Sequence, residues 1–237
     1  MEVVRAVILK SINYSETQKI VHAYTREKGF LSFITSANIF KRKTNAVHLM
    51  QVVEIEYFES EKSNLHKLRT ITPTLNTSHL YFDIFKMNIV LLWAEILYLI
   101  LKNEDRNEDL YDYIARSVDY LNSTQANVGN FNLFFLYRLI TPLGFRIDTD
   151  SWQEGSVFNI SDGSFYPAAS AMPHISGPNT ARVVFLLCTC QPENLQNIPL
   201  DRQSRNILLD IILHFFNLHL NIDFNVKSLQ VIREIFS

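Results

Sequence analysis

The sequence predicts an α+β protein: an N-terminal five-stranded OB-fold barrel followed by a mostly α-helical domain with a small β-hairpin insertion. Up to Pro73, apolar and polar residues alternate with period two and are broken by short polar turns, the pattern of half-buried strands. From residue 79 the apolar spacing changes to three and four, the pattern of helices. Half of the six glycines fall between 145 and 180, which marks that stretch as turns. An SH3-like barrel or an open sheet fits the strand pattern almost as well.

The first strand covers 3–10 and leads through a polar turn, Asn13-Tyr14-Ser15-Glu16-Thr17, into a second over 19–26. The charged turn Glu27-Lys28-Gly29 opens a third over 30–35. A basic loop, Lys41-Arg42-Lys43, precedes a fourth over 46–58, and a charged turn at 59–63 precedes a fifth over 65–72. Pro73 ends it because proline has no N–H for a sheet ladder. Asp83 is placed to cap a helix running to Leu101. Leu110, Ile114, Ser117 and Leu121 share one face of a second helix over 109–121. A third over 131–140 stops at Pro142-Leu143-Gly144. Val157-Phe158-Asn159-Ile160 and Ser164-Phe165-Tyr166, joined by Ser161-Asp162-Gly163, are expected to form the hairpin. Residues 181–190 are helical or buried, 201–220 are a strong helix, and 226–236 close the chain. The expected domains are therefore 1–78 and 79–237, with the hairpin island at 145–180.

The net charge of −2 hides an asymmetry. Residues 1–80 hold 11 Lys/Arg and 7 Asp/Glu, a net of +4, whereas 81–237 hold 11 and 17, a net of −6. A basic front on an acidic back suggests two units with different partners. The apolar run from Met87 to Leu101 is interrupted by Glu95 and falls short of the ~20 residues a membrane span needs. The N-terminus opens directly on a strand pattern rather than a signal peptide. The expectation is a reduced, soluble, cytoplasmic protein.

Catalytic and metal chemistry find little support. The seven histidines are scattered without an H-E-x-x-H pattern, and Cys188 and Cys190 lack the second pair that a zinc ribbon needs. Two residues apart, they also suit no mutual disulfide. No G-x-S-x-G elbow and no phosphate-cradling glycine loop occurs. No catalytic residue, cofactor, metal or small-molecule substrate is expected.

The basic residues of the barrel remain: Arg5, Lys10, Lys19, Arg26, Lys28, Lys41, Arg42 and Lys43. Cations beside flat rings grip nucleic acid through phosphates and stacked bases. Tyr14, Tyr24, Phe30 and Phe33 offer such rings, although Tyr24 and Phe33 fit a core position better.

The residues also resemble a known family, the bacterial recombination mediator and DNA repair proteins called RecO. The likeness rests on Ala6-Val7-Ile8-Leu9, then Tyr14-Ser15-Glu16-Thr17, then Tyr24-Thr25-Arg26-Glu27-Lys28-Gly29, followed by the basic loop. Trp93-Ala94-Glu95-Ile96-Leu97, the run ending Leu143-Gly144-Phe145, and Val226-Lys227-Ser228-Leu229 extend it along the chain. The resemblance implies an OB-fold and a helical domain that bind single- and double-stranded DNA and anneal complementary strands. It further implies contact with the acidic C-terminal tail of the single-strand binding protein SSB, and loading of RecA with RecR, at the bacterial nucleoid. Arg138, Arg146, Lys227 and Arg233 are the candidate contacts for that tail. The competing reading is an adaptor that bridges SSB to repair proteins without annealing. Many members carry four zinc-binding cysteines where 146–180 has none, so hairpin packing is expected to replace the ion. Many also carry a Gly-Ala-Arg run where this chain has Ala37-Asn38-Ile39-Phe40.

Overall fold

A computed structural model describes the chain except residues 41–47, 126–127, 171–174, 223–225, 227, 230–232 and 234–237. It divides into two compact units. The first holds Met1–Ser123 with the described residues of 226–232, and the second holds 124–222 with Arg233.

In the first unit, β1 (Glu2–Asn13), β2 (Gln18–Thr25), β3 (Gly29–Ser36), β4 (Val52–Phe58) and β5 (Leu65–Pro73) close a barrel in the order β1-β2-β3-β5-β4. All pairs are antiparallel except β3–β5, which is parallel and pairs Ser32–Ile34 with Leu65–Lys67. Alternation, with one slip in register between Leu68 and Ile71, puts Val4, Ala6, Ile8, Val21, Ala23, Phe33, Val53, Ile55, Tyr57, Leu68 and Ile71 in one buried core. Tyr24 and Phe33 are fully buried, as their positions predicted. The fourth strand starts at Val52 rather than 46, because Met50 turns the chain with a φ of +59° before pairing begins.

Three helices follow: α2 (Ile84–Leu101) and α3 (Glu108–Ser123) pack on β1 of the barrel, and the short α1 (Ser78–Phe82) packs on both of them. Asp83 caps α2, its carboxylate accepting from the N–H groups of Phe85 (2.8 Å) and Lys86 (3.1 Å). By length and composition α2 could cross a membrane, yet 61% of it is buried, as in a core helix. Lys86, in the first turn of α2, is only 2% exposed, and its ammonium donates to the Asn122 carbonyl at 3.1 Å. Glu95, which interrupts the apolar run, accepts from both the N–H and the hydroxyl of Ser228 at 2.9 and 2.8 Å. A conspicuous acid in an apolar helix thus serves to hold the returning tail.

The second unit contains α4 (Val128–Leu139), α5 (Pro178–Thr189), α6 (Arg202–Leu220) and a small sheet. The predicted hairpin is present as β6 (Val157–Asn159) and β7 (Ser164–Tyr166), and β8 (Ile175–Ser176) adds a third strand in the order β7-β6-β8. Gly163 makes the hairpin turn with a φ of +73°. The island is held by rings: Trp152 stacks on Phe185 at 4.2 Å, Phe158 lies 5.1 Å from Phe165, and Phe158 is fully buried. Among the described residues no cluster of His, Cys, Asp and Glu could hold a metal ion, while His174 of this island lies outside them. The α4 helix is tied in by Asn130, whose amide donates to the carbonyls of Leu195 and Ile198, and by Tyr137, whose hydroxyl donates to that of Leu208.

Candidate nucleic-acid interface

The cations predicted to hold DNA occupy two different environments. At one end of the barrel, Arg5 pairs with Glu27 at 2.8 Å and Lys28 reaches Glu59 at 3.3 Å and Glu2 at 3.6 Å. Arg26 is held more fully. Its guanidinium donates to both carboxylate oxygens of Asp112 on α3, at 2.8 and 3.1 Å, and also pairs with Glu108. The hydrogen bond from Arg26 holds the Asp112 carboxyl below the ordinary carboxylate range. Three predicted DNA contacts therefore sit among five acids, and Arg26 joins the barrel to α3.

Gly29 explains why the Arg26-Glu27-Lys28-Gly29 turn has this composition. Its φ of +72° suits glycine, and an added Cβ would lie 2.5–2.8 Å from backbone atoms of Glu104, Asp105 and Arg106. The α2–α3 turn is seated on the barrel there. The Phe30 N–H donates to the Glu104 carbonyl at 3.1 Å, and the Tyr24 hydroxyl donates to the Asp105 carbonyl at 2.9 Å. Burial pushes the Tyr24 phenol up to about 12.

Lys10 stands on the outer barrel wall, whereas Lys19, at the start of β2, lies on the strand face of Val21 and Ala23, opposite Asn13 and Thr35. The Lys10 ammonium lies 4.2 Å above the Tyr98 ring, and Tyr98 in turn packs against His22 and Phe30 at 5.3 and 6.0 Å. Burial, reinforced by Lys10, lowers the pKa of His22, so it adds no charge to the wall near neutral pH. Phe30 is thus occupied by packing. Tyr14, in the β1–β2 turn, is 62% exposed and open to a stacking partner. Lys41, Arg42 and Lys43 lie outside the described residues.

The predicted partner-binding cations do not share one environment either. Arg138, at the end of α4, donates to the Cys190 carbonyl at 3.0 Å and lies 5.3 Å over the Phe134 ring. Arg146 pairs with Asp148 and Asp150, and Arg233 pairs with Asp210. Lys227 lies outside the described residues. Cys188 and Cys190 are free thiols, and burial pushes Cys188 up to about 12, far from the thiolate range of a nucleophile.

Sequence reasoning passed over Lys67 and Arg69. Both are exposed on β5, beside a groove that Gln18, Ile34, Ser36 and Asn38 also line. The signal was a pair of cations two apart on one strand, which places them on one face.

A closed five-stranded barrel with cations on its outer wall, followed by helices, defines a class of barrel-and-helix proteins. Family models divide the chain in the same sense, the recombination protein O N-terminal model matching residues 1–76 and its C-terminal model residues 81–229. The chain belongs to the recombination protein O family. It is 31% identical over 235 residues to a protein of Phocaeicola vulgatus named DNA repair protein RecO, covering 98% of this chain and 97% of that one. Proteins of the same name from Christiangramia forsetii and Porphyromonas gingivalis are 30% and 28% identical, covering 98% and 91% of both chains respectively.

Proposed function

We propose that this protein binds DNA through its barrel, anneals complementary single strands and, with RecR, helps load RecA on SSB-coated DNA. The observation that carries the reading is the closed barrel of a recombination-protein family, with Lys10 on its outer wall, Lys19 at the start of β2 and a basic run in the sequence after β3. Residues 1–78 are the DNA-binding domain in this reading. Lys10, Lys19 and Lys41–Lys43 contact phosphates; Arg5 and Lys28 add to the field at the barrel end, and Arg26 holds the barrel to α3. Annealing needs no catalytic group, because neutralising two strands lets their bases meet.

The helical part, 79–237, is acidic and serves protein partners. Arg138, Arg146, Lys227 and Arg233 are offered to the acidic, aromatic-ended tail of SSB. Titrating a labelled tail peptide against Arg138→Ala tests this, and an unchanged affinity removes Arg138 from the site. The protein acts in the bacterial cytoplasm, at the nucleoid. For the DNA contact, the test is affinity for a labelled single-stranded oligonucleotide across salt. About six phosphate contacts give a slope of roughly −4 in log K against log salt, at about −0.7 per contact. A salt-independent affinity overturns the reading.

A further inference from the structure

The β4–β5 side of the barrel completes a row that crosses all five strands. Ile12 opposes Ile20, Ile20 opposes Ile34, Ile34 opposes Lys67, and Lys67 opposes Phe58. Directly opposed residues share a face. Their neighbours Val21, Phe33, Tyr57 and Leu68 point into the core, so this row points outward. Four strand spacings make it about 19 Å long.

Phe58 is 47% exposed, a large ring left on the surface beside an ammonium. Arg69 follows Lys67 on the same face; Glu56 takes part of its charge at 3.6 Å. Lys67 makes no salt bridge among the described residues. Past Ile34 and Lys67 the β3–β5 register ends, and the two strands frame the groove into which Lys67 and Arg69 project their charge. Phe58 and Lys67 are opposed residues with Cα atoms about 5 Å apart, so the ring and the ammonium stand side by side on one face, within the reach of a single nucleotide.

Resting on the reading of the barrel as DNA-binding, we propose that a single-stranded nucleic acid lies across this wall, with one base stacked on Phe58 and its phosphate on Lys67 and Arg69. The β1–β3 part of the row is aliphatic: Ile12, Ile20 and Ile34 offer no stacking platform. The wall therefore holds the strand by its backbone and by one anchored base, and leaves the other bases free to pair. That division suits annealing better than a wall of rings, which would sequester every base it touched.

Fluorescence anisotropy of the full chain with labelled oligothymidylate, at two salt concentrations, tests the site. Phe58→Leu should weaken binding about 5- to 100-fold, the range of one lost stacking contact, with the salt slope unchanged. Lys67→Ala should instead reduce the slope by about 0.7. An abasic oligonucleotide of equal length should bind wild type and Phe58→Leu alike. Retained far-UV dichroism and Trp93 emission show that the variants fold. If wild type binds with a steep salt dependence and both variants match it, the wall is not the site while the barrel reading stands. If Phe58→Leu loses an acidic aromatic peptide but keeps the oligonucleotide, the wall belongs to a protein partner and the proposal falls. If wild type binds no oligonucleotide, the barrel reading falls with it.

Discussion

Replacing Gly29 by alanine should uncouple the α2–α3 turn from the barrel. The position has a φ of +72°, and holding a residue with a Cβ there costs about 1–2 kcal/mol. The new Cβ would meet the Asp105 carbonyl carbon at 2.5 Å, the Glu104 oxygen at 2.6 Å and the Arg106 nitrogen at 2.8 Å. All three are backbone atoms, so no side chain can swing aside, and the turn must move. Moving it stretches the bonds from the Phe30 N–H to the Glu104 carbonyl and from the Tyr24 hydroxyl to the Asp105 carbonyl. Each contributes about 1 kcal/mol, so the total loss is about 3–4 kcal/mol, a large part of the ~5–15 kcal/mol by which domains are stable. The two tryptophans divide between the units, Trp93 in the first and Trp152 in the second. In a Trp152→Phe background, Trp93 emission in urea reports the first unit alone. Gly144→Ala is the control: its φ is +87°, but an added Cβ meets nothing within 4 Å. It should cost only the backbone part, about 1–2 kcal/mol, read by amide exchange in its own unit. Equal losses at the two positions would refute the close approach of turn and barrel.

Acid should weaken the barrel–α3 joint. Asp112 has a folded-state pKa below its unfolded value of about 3.9, so its pairing with Arg26 stabilises fully above that pH and fades as pH falls through the folded value. Asp112→Asn should therefore lower the melting temperature at pH 7, with the gap to wild type closing towards pH 3; a constant gap would mean the carboxylate is not the cause. Chelation with EDTA should leave the melting of the second unit unchanged, whereas Phe158→Ala should cost about 3–5 kcal/mol because it empties the ring core of the small sheet. A chelator-sensitive transition would show that rings alone do not hold the island. Cys188 should resist maleimide at pH 7.5 until the chain unfolds, since burial keeps its thiol protonated, and labelling at the rate of a free peptide thiol would contradict that burial.

The strands were legible where one face is buried, as in β4, where Val53, Ile55 and Tyr57 alternate with Glu54 and Glu56; in β1 the run Ala6–Leu9 is buried on both faces because α2 and α3 cover it. Asp83 announced α2 because a capping carboxylate must immediately precede the helix it caps; Asp201, read as the first residue of the last long helix, caps α6 in the same way. Five-residue α1 and two-residue β8 are too short to leave a period. Charge was read correctly as basic, but its use was not visible. Arg26 meets Asp112 across 86 residues, and no local pattern shows that an arginine in a strand is bound to a helix. The Lys67–Phe58 pair was hidden for a related reason. Each looks ordinary in its own strand, and only the register of β4 against β5 sets the ring beside the ammonium.

The most direct measurement is the rate at which the full chain anneals two complementary labelled oligonucleotides, bare and SSB-coated, at low and physiological salt. Annealing that is fast, weakens with salt and persists on coated strands is the predicted result. No acceleration on either substrate would contradict it and leave a protein that bridges SSB to repair partners without pairing strands.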